Sequence, residues 1–215
     1  MIPAMIVPIL TRPELLYAMI ETIDVDVSDL VIIDNGADVD KDRIPYDHLE
    51  RVHVLRMPYN FGVAGSWNLG IKSLPFAPWW LIANFDVTWP PGSLQQFVDM
   101  QHPNKLILSG GGPVWCAFAI GEDVVDLVGL FDEGFHPGYF EDNDYQRRCD
   151  HHGIPVIYSG IPVQHQNSST LKAGFDRLNG YTFAQNQMHL HDKAFNGDYS
   201  EGRWTLARRR RLSWD

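Results

Sequence analysis

Short apolar runs alternate with longer stretches of mixed polarity along this chain: Ala4 to Leu10, Leu30 to Ile33, Val52 to Arg56, Trp80 to Ala83 and Leu106 to Leu108. Runs this brief and this uniformly apolar read as strands buried on both faces. Between them, Pro13 to Thr22 reads as a helix with proline near its first position, Gly65 to Ser73 as a second and Gly92 to Met100 as a third. The alternation is that of βαβ units, and it predicts an α/β fold with a mostly parallel central sheet flanked by helices on both faces. Ligands of such sheets bind beyond the carboxyl ends of the strands, so the residues after each run are where chemistry is sought.

Three of those ends carry polar groups. Thr11 and Arg12 follow the first run, and Asp34-Asn35-Gly36-Ala37-Asp38 follows Val31-Ile32-Ile33. That turn could present a carboxylate to a base or a sugar hydroxyl, or be an ordinary Asn-Gly connector. Asn84-Phe85-Asp86 closes the very apolar Trp79 to Ala83 run, where an acid can hold a hard cation that also binds phosphate oxygens, or simply cap a loop. The segment Asn60 to Gly70 sets Asn60, Gly65 and Asn68 around a helix start, where backbone can approach an anion closely. It has neither the Gly-Lys-Ser/Thr ending of a Walker loop nor the glycine spacing of a dinucleotide fingerprint.

Further on, Glu141, Asp142 and Asp144 crowd three carboxylates into four residues, with Arg147 and Arg148 following. Like charges this close raise one another's pKa, which suits a general base or a polar ligand site; an acidic first helical turn, favoured by the helix dipole, explains the same pattern without function.

The length of 215 residues and a 45% hydrophobic content fit one globular domain, or a core with a modest extension. No stretch of eighteen or more apolar residues occurs, and Met1-Ile2-Pro3-Ala4 lacks the basic start of a signal peptide, so a cytoplasmic protein is expected. Cys116 and Cys149 lack metal-ligand spacing and read as two buried thiols. The net charge is −10, and Arg203 with Arg208 to Arg211 makes the end of the chain basic against an acidic body. Such a body repels nucleic acid, while the tail offers a weak contact to an anionic membrane.

Taken in order, Asp34-Asn35-Gly36 with Asp38, Asn60 to Gly70, Asn84-Phe85-Asp86, Val128 to Glu133, Glu141 to Asp144 with Arg147, and His165 resemble the family 2 glycosyltransferases, in particular their rhamnosyltransferase-like branch. The resemblance runs from Ile6 to about Ser169 and is most specific in Gly129-Leu130-Phe131-Asp132-Glu133, the acidic run and the later lone His165. It implies a GT-A, Rossmann-like fold over residues 1–170, with 171–215 a short helical extension ending in the basic tail. It also implies an inverting, metal-dependent hexosyl- or deoxyhexosyltransferase that uses a nucleotide-diphosphate sugar, UDP first and dTDP next. Thr11, Arg12 and Asp34 then correspond to the nucleoside end, Asp34 facing a pyrimidine. Asn60, Gly65, Asn68, Asn84 and Asp86 line the donor, and Asp86 and His165 hold Mn²⁺ or Mg²⁺.

Asp142 matches the base that takes the acceptor's proton, with Glu141 beside it; Asp144 is the second candidate, or a partner for Arg147 at i, i+3. Asp132 and Glu133 would shape the acceptor side, and Trp115 and Tyr139 could stack on a sugar. The acceptor is a glycan, a lipid-linked molecule or another hydroxyl compound, and pairing of two copies as a homodimer stays open. Asn84 departs from the family's usual acid and brings no charge to the metal. That departure keeps alive a non-catalytic nucleotide-sugar-binding or assembly protein, beside a nucleotidyltransferase. Asn179-Gly180 reads as a breaker before a helix from Tyr181 to Phe195, whose His189 and His191 fall on different faces and make no metal site.

Overall fold

A computed structural model describes residues 1–111, 113–166 and 176–207, the first four residues of the last stretch by backbone alone. The end of the resemblance, Asn167 to Ser169, and the Arg208 to Arg211 tail lie outside the described residues. The strands are β1 (Ile2–Ile9), β2 (Val27–Asp34), β3 (Leu49–Arg56), β4 (Trp79–Ala83), β5 (Val87–Thr88), β6 (Leu106–Gly110), β7 (Ala117–Gly121), β8 (Val156–Pro162) and β9 (Gln164–His165). The helices are α1 (Pro13–Glu21), α2 (Gly62–Ser73), α3 (Ser93–Met100), α4 (Glu122–Val128), α5 (Glu141–His151) and α6 (Asp176–Phe195).

Seven strands form one sheet in the order β3-β2-β1-β4-β7-β6-β8. All its pairings are parallel except those of β7, which runs antiparallel to both β4 and β6. A separate ribbon joins β5 to β9. Met5, Val7 and Ile9 of β1 pack with α1 and α3 on one face, while Ala4 and Ile6 pack with α2, α4 and α5 on the other. The fully apolar strands are therefore those covered twice, as their sequence required. Gly70 sets how closely α2 lies on the sheet, since a Cβ there would come within 2.3 Å of Ile6 Cγ2.

The structure differs from the sequence expectation at three places. Helix α2 starts at Gly62 rather than Gly65, because Asn60 Oδ1 accepts the Gly62 N–H and Asn35 Oδ1 accepts the Phe61 N–H, each at 2.9 Å. Those side chains satisfy donors that would otherwise stop the helix. Strands β7 and β8 lie outside the runs read as strands: β7 is fully buried at the end of the apolar Val114 to Ile120 stretch, and β8 is an edge strand with exposed alternate positions. Helix α6 runs straight through Gly180. A glycine inside a helix costs only about 1 kcal/mol, and the anchored residues further along α6 outweigh it.

Candidate active site

The nucleoside-side candidates sit together because β1 and β2 run parallel in register, Ile9 opposite Asp34. Thr11 is half-buried, and its Oγ1 has no hydrogen-bond partner. Arg12 adopts a left-handed conformation with φ 58° and bonds Glu14 through Nε at 3.0 Å. Asp34 is buried, and its carboxylate collects the N–H groups of Gly36, Ala37 and Val39 at 3.1, 2.7 and 2.9 Å. Its first duty is to the turn itself. The neighbouring Asn35 reaches the start of α2, donating to Ser66 Oγ at 2.9 Å.

Two members of the Asn60 to Gly70 segment, Gly65 and Asn68, lie buried within α2. Asn68 is fully buried; its Oδ1 accepts Phe131 N–H while its Nδ2 donates to Phe131 O and to Glu133 Oε1, each at 2.9 Å. This corrects the expectation of a donor contact: the whole amide is used to tie α2 to the chain beyond α4. Gly65 lies buried within the first turns of α2, and a Cβ there would make only an ordinary 3.5 Å contact with Phe61. Asn60, beyond its cap, accepts a bond from His136 through its backbone carbonyl at 3.1 Å.

At the end of β4 the structure brings together Asn84, Asp86 and His165, residues separated by about eighty positions in sequence. The ribbon does this: Val87 of β5 pairs with His165 of β9, and the Asp86 carbonyl accepts the Gln166 N–H at 3.0 Å. His165 Nε2 then lies 3.0 Å from Asp86 Oδ1 and 3.3 Å from Asn84 Nδ2. One ring nitrogen cannot donate to the carboxylate and accept from the amide at once. Turning the Asn84 amide so that its oxygen faces the ring removes the conflict, and the same turn would present a nitrogen and two oxygens to a divalent cation. The three side chains thus fit a cation whose shell is completed by ligand oxygens. Among the described residues, no group of three or more His, Cys, Asp and Glu side chains could hold one alone.

The acidic run opens α5, as its composition predicted. Glu141 is buried with Oε2 unpartnered, and burial, then the charge of Asp142, push its carboxyl up to about 8. Asp142 is half-buried and also raised by burial, against the N–H of Asn143, which its Oδ1 accepts at 2.8 Å. Asp144 has no exposure and is enclosed by cations: Arg147 at 3.3 Å as the i, i+3 spacing predicted, Arg148 at 3.8 Å and Lys193 at 2.9 Å. That enclosure removes Asp144 as the alternative base.

Asp132 is buried and caps Gly134 N–H at 2.8 Å. Burial pushes its carboxyl up, but Lys193, the Gly134 N–H and His189 outweigh that and hold it below its ordinary value. Glu133 meets Lys72 at 3.5 Å. Trp115 packs edge-on against Phe118 in the core, and the exposed Tyr139 meets Phe183 of α6. His189 and His191 diverge as expected: the first tilts against Phe135 near Asp132, the second is exposed. Sequence reasoning missed Asn186 and Lys193, which carry no motif and find their partners only in three dimensions, and it gave Asn35 of the Asp34 turn no part in holding the start of α2. No described helix is long and apolar enough to cross a membrane.

Residues 5–128 match the family model described as glycosyl transferase family 2. No curated protein matches the chain. Among solved structures, the mannosyltransferase PcManGT from Pyrobaculum calidifontis, in complex with GDP-Man and Mn²⁺, is similar at 13% identity and a TM-score of 0.65, over 90% of this chain and 64% of that one. TarS of S. aureus is similar at 12% identity and a TM-score of 0.60, over 92% of this chain and 40% of that one. TarS 1–349 matches at 14% identity and a TM-score of 0.53, over 69% and 55%. The chain thus spans less than two thirds of the length of each, and what is shared is the GT-A fold.

Proposed function

Because the chain belongs to glycosyl transferase family 2, we propose that it moves a sugar from a nucleotide-diphosphate donor to an acceptor hydroxyl with inversion at the anomeric carbon. The convergence of Asn84, Asp86 and His165 at the end of β4 carries the proposal, since it gathers polar atoms where a diphosphate would lie in a GT-A sheet. Thr11, Arg12 and the Asp34 loop form the nucleoside end, with a uridine or thymidine nucleotide the first choice. Asp86, His165 and a turned Asn84 would hold Mn²⁺ or Mg²⁺, which supplies positive charge to the diphosphate leaving group.

Asp142 is the base. The acceptor oxygen bonds to the anomeric carbon as the bond from that carbon to the diphosphate oxygen breaks, and the hydroxyl proton passes to the Asp142 carboxylate. Burial raises its pKa, which strengthens it as a base. Glu141, held up to about 8, is mostly protonated at neutral pH, so it adds no second negative charge and can donate a hydrogen bond toward its neighbour or the acceptor. A second reading has its own observation: the amide of Asn84, in place of an acid, suits a protein that binds a nucleotide sugar without turning it over.

One experiment separates the two. Uridine, thymidine and guanosine diphosphate sugars, deoxyhexoses included, are incubated with the protein in Mn²⁺ or in chelator, and nucleoside diphosphate release and the unfolding temperature are followed. Metal-dependent release with one donor is expected. A thermal shift without release selects the binding protein, and neither response with any donor sinks both readings.

A further inference from the structure

Two side chains of α6 are buried, polar and unused by the chemistry above. Lys193 is 3% exposed; its Nζ donates to Ser200 Oγ at 2.7 Å, lies 2.9 Å from Asp144 and pairs with Asp132. Asn186 is 4% exposed, and its Nδ2 donates to the carbonyl of Gly138 at 2.8 Å, with the carbonyls of His136 and Tyr139 at 3.4 Å. Seven residues apart, the two lie on one face of the helix. Together they grip the whole segment that leads into the acidic run: Asp132 at its start, Gly138 near its end, and Asp144 in the first turn of α5 beyond it.

That segment needs holding. Tyr139 and Phe140 are consecutive non-glycine residues in the left-handed region, with φ 74° and 72°, and they deliver Glu141 and Asp142 to the start of α5. Such conformations persist only where the surroundings over-determine them. A buried ammonium between two carboxylates contributes little net stability over well-packed apolar side chains, but its directed bonds fix where both carboxylates stand.

We propose that Lys193 and Asn186 are positioning residues: through Asp132, Asp144 and the Gly138 carbonyl they set the place of Asp142, and they contact neither donor nor acceptor. The inference rests on Asp142 being the base. Its test compares wild type with Lys193→Met, Asn186→Leu and the double variant Lys193→Met/Asp132→Asn. The readouts are hydrogen–deuterium exchange, calorimetry of UDP and GDP in Mn²⁺, and diphosphate release from the active sugar nucleotide. Lys193→Met takes the ammonium from two buried carboxylates, leaving Asp144 to Arg147 and Arg148 and Asp132 without a lysine, and can fail to fold; the double variant neutralises Asp132, and Asn186→Leu disturbs no charge. In the variants that fold, exchange across residues 132–144 should rise at least tenfold while that of β1, β2 and β4 stays at the wild-type level. Nucleotide affinity should remain within twofold, and kcat should fall at least tenfold at unchanged donor KM.

Wild-type exchange across 132–144 overturns the proposal. So does a uniform rise over the whole sheet with an equal loss of nucleotide binding, the signature of a purely scaffolding role. If wild type releases diphosphate from no donor, the reading of the reaction fails, whereas the exchange result still decides whether α6 holds the segment.

Discussion

The two sides of the candidate site are built by opposite means. The donor side hangs on strand ends and backbone pairing: Asp34 collects N–H groups within five residues of its own position, and a two-residue ribbon brings His165 to Asp86 and, across 81 residues, to Asn84. The acceptor side is assembled by buried side chains instead, in contacts such as Asn186 with the Gly138 carbonyl and Lys193 with Asp132. One side is held mainly by backbone hydrogen bonds, the other by buried polar and charged side chains. The contrast teaches that the proposed nucleotide side can come with the pairing of strands, whereas the proposed base is placed by side chains of a helix added outside the sheet.

If the two sides are separable, substitutions should divide between them. The largest effect is expected for Asp142→Asn, which should cut transfer or donor hydrolysis by roughly 10²–10⁴-fold, with UDP or GDP affinity in Mn²⁺ unchanged. Equal damage to nucleotide affinity, measured by calorimetry, would break the comparison.

Next comes the proton on Glu141. Its carboxyl ionises near 4.5 in the unfolded chain and near 8 in the folded protein, so between those values the folded state holds a proton that the unfolded state has released. Stability therefore falls as pH rises from about 4.5 to about 8, by an amount on the order of a few kcal/mol. Glu141→Gln should flatten that slope and unfold at higher urea than wild type at pH 8.5, with little difference at pH 4.5. Parallel urea midpoints across the range would remove the buried proton from the account.

The smallest effect belongs to the donor side. Asp86→Ala should weaken Mn²⁺-dependent nucleotide binding by roughly tenfold, about 1.4 kcal/mol, and leave exchange of residues 132–144 as it was. Loss of protection there would show the two sides to be coupled.

The same contrast governs what could be read from the sequence. Strands β1, β2 and β4 announce themselves because both of their faces are buried, and Asp86, Glu141 and Asp142 stand at element ends where ordered motifs can be recognised. Asn68 misled, since an asparagine near a helix start looks like a ligand-facing group until its amide is seen spent on Phe131. Lys193 gave no signal at all: a lysine in the last turn of a helix is what any solvated helix would carry. Its burial follows from two carboxylates that lie about fifty and sixty residues earlier, and no local pattern encodes that meeting.

The bond from Leu130 N–H to the Trp204 carbonyl, at 2.7 Å, turns the direction of synthesis into a schedule of assembly. As the chain leaves the ribosome, Asn84 and Asp86 emerge first, His165 next, and only then can Asp132 meet Lys193 and Leu130 meet Trp204. The nascent protein therefore owns its nucleotide-side turns early and its base-side geometry last.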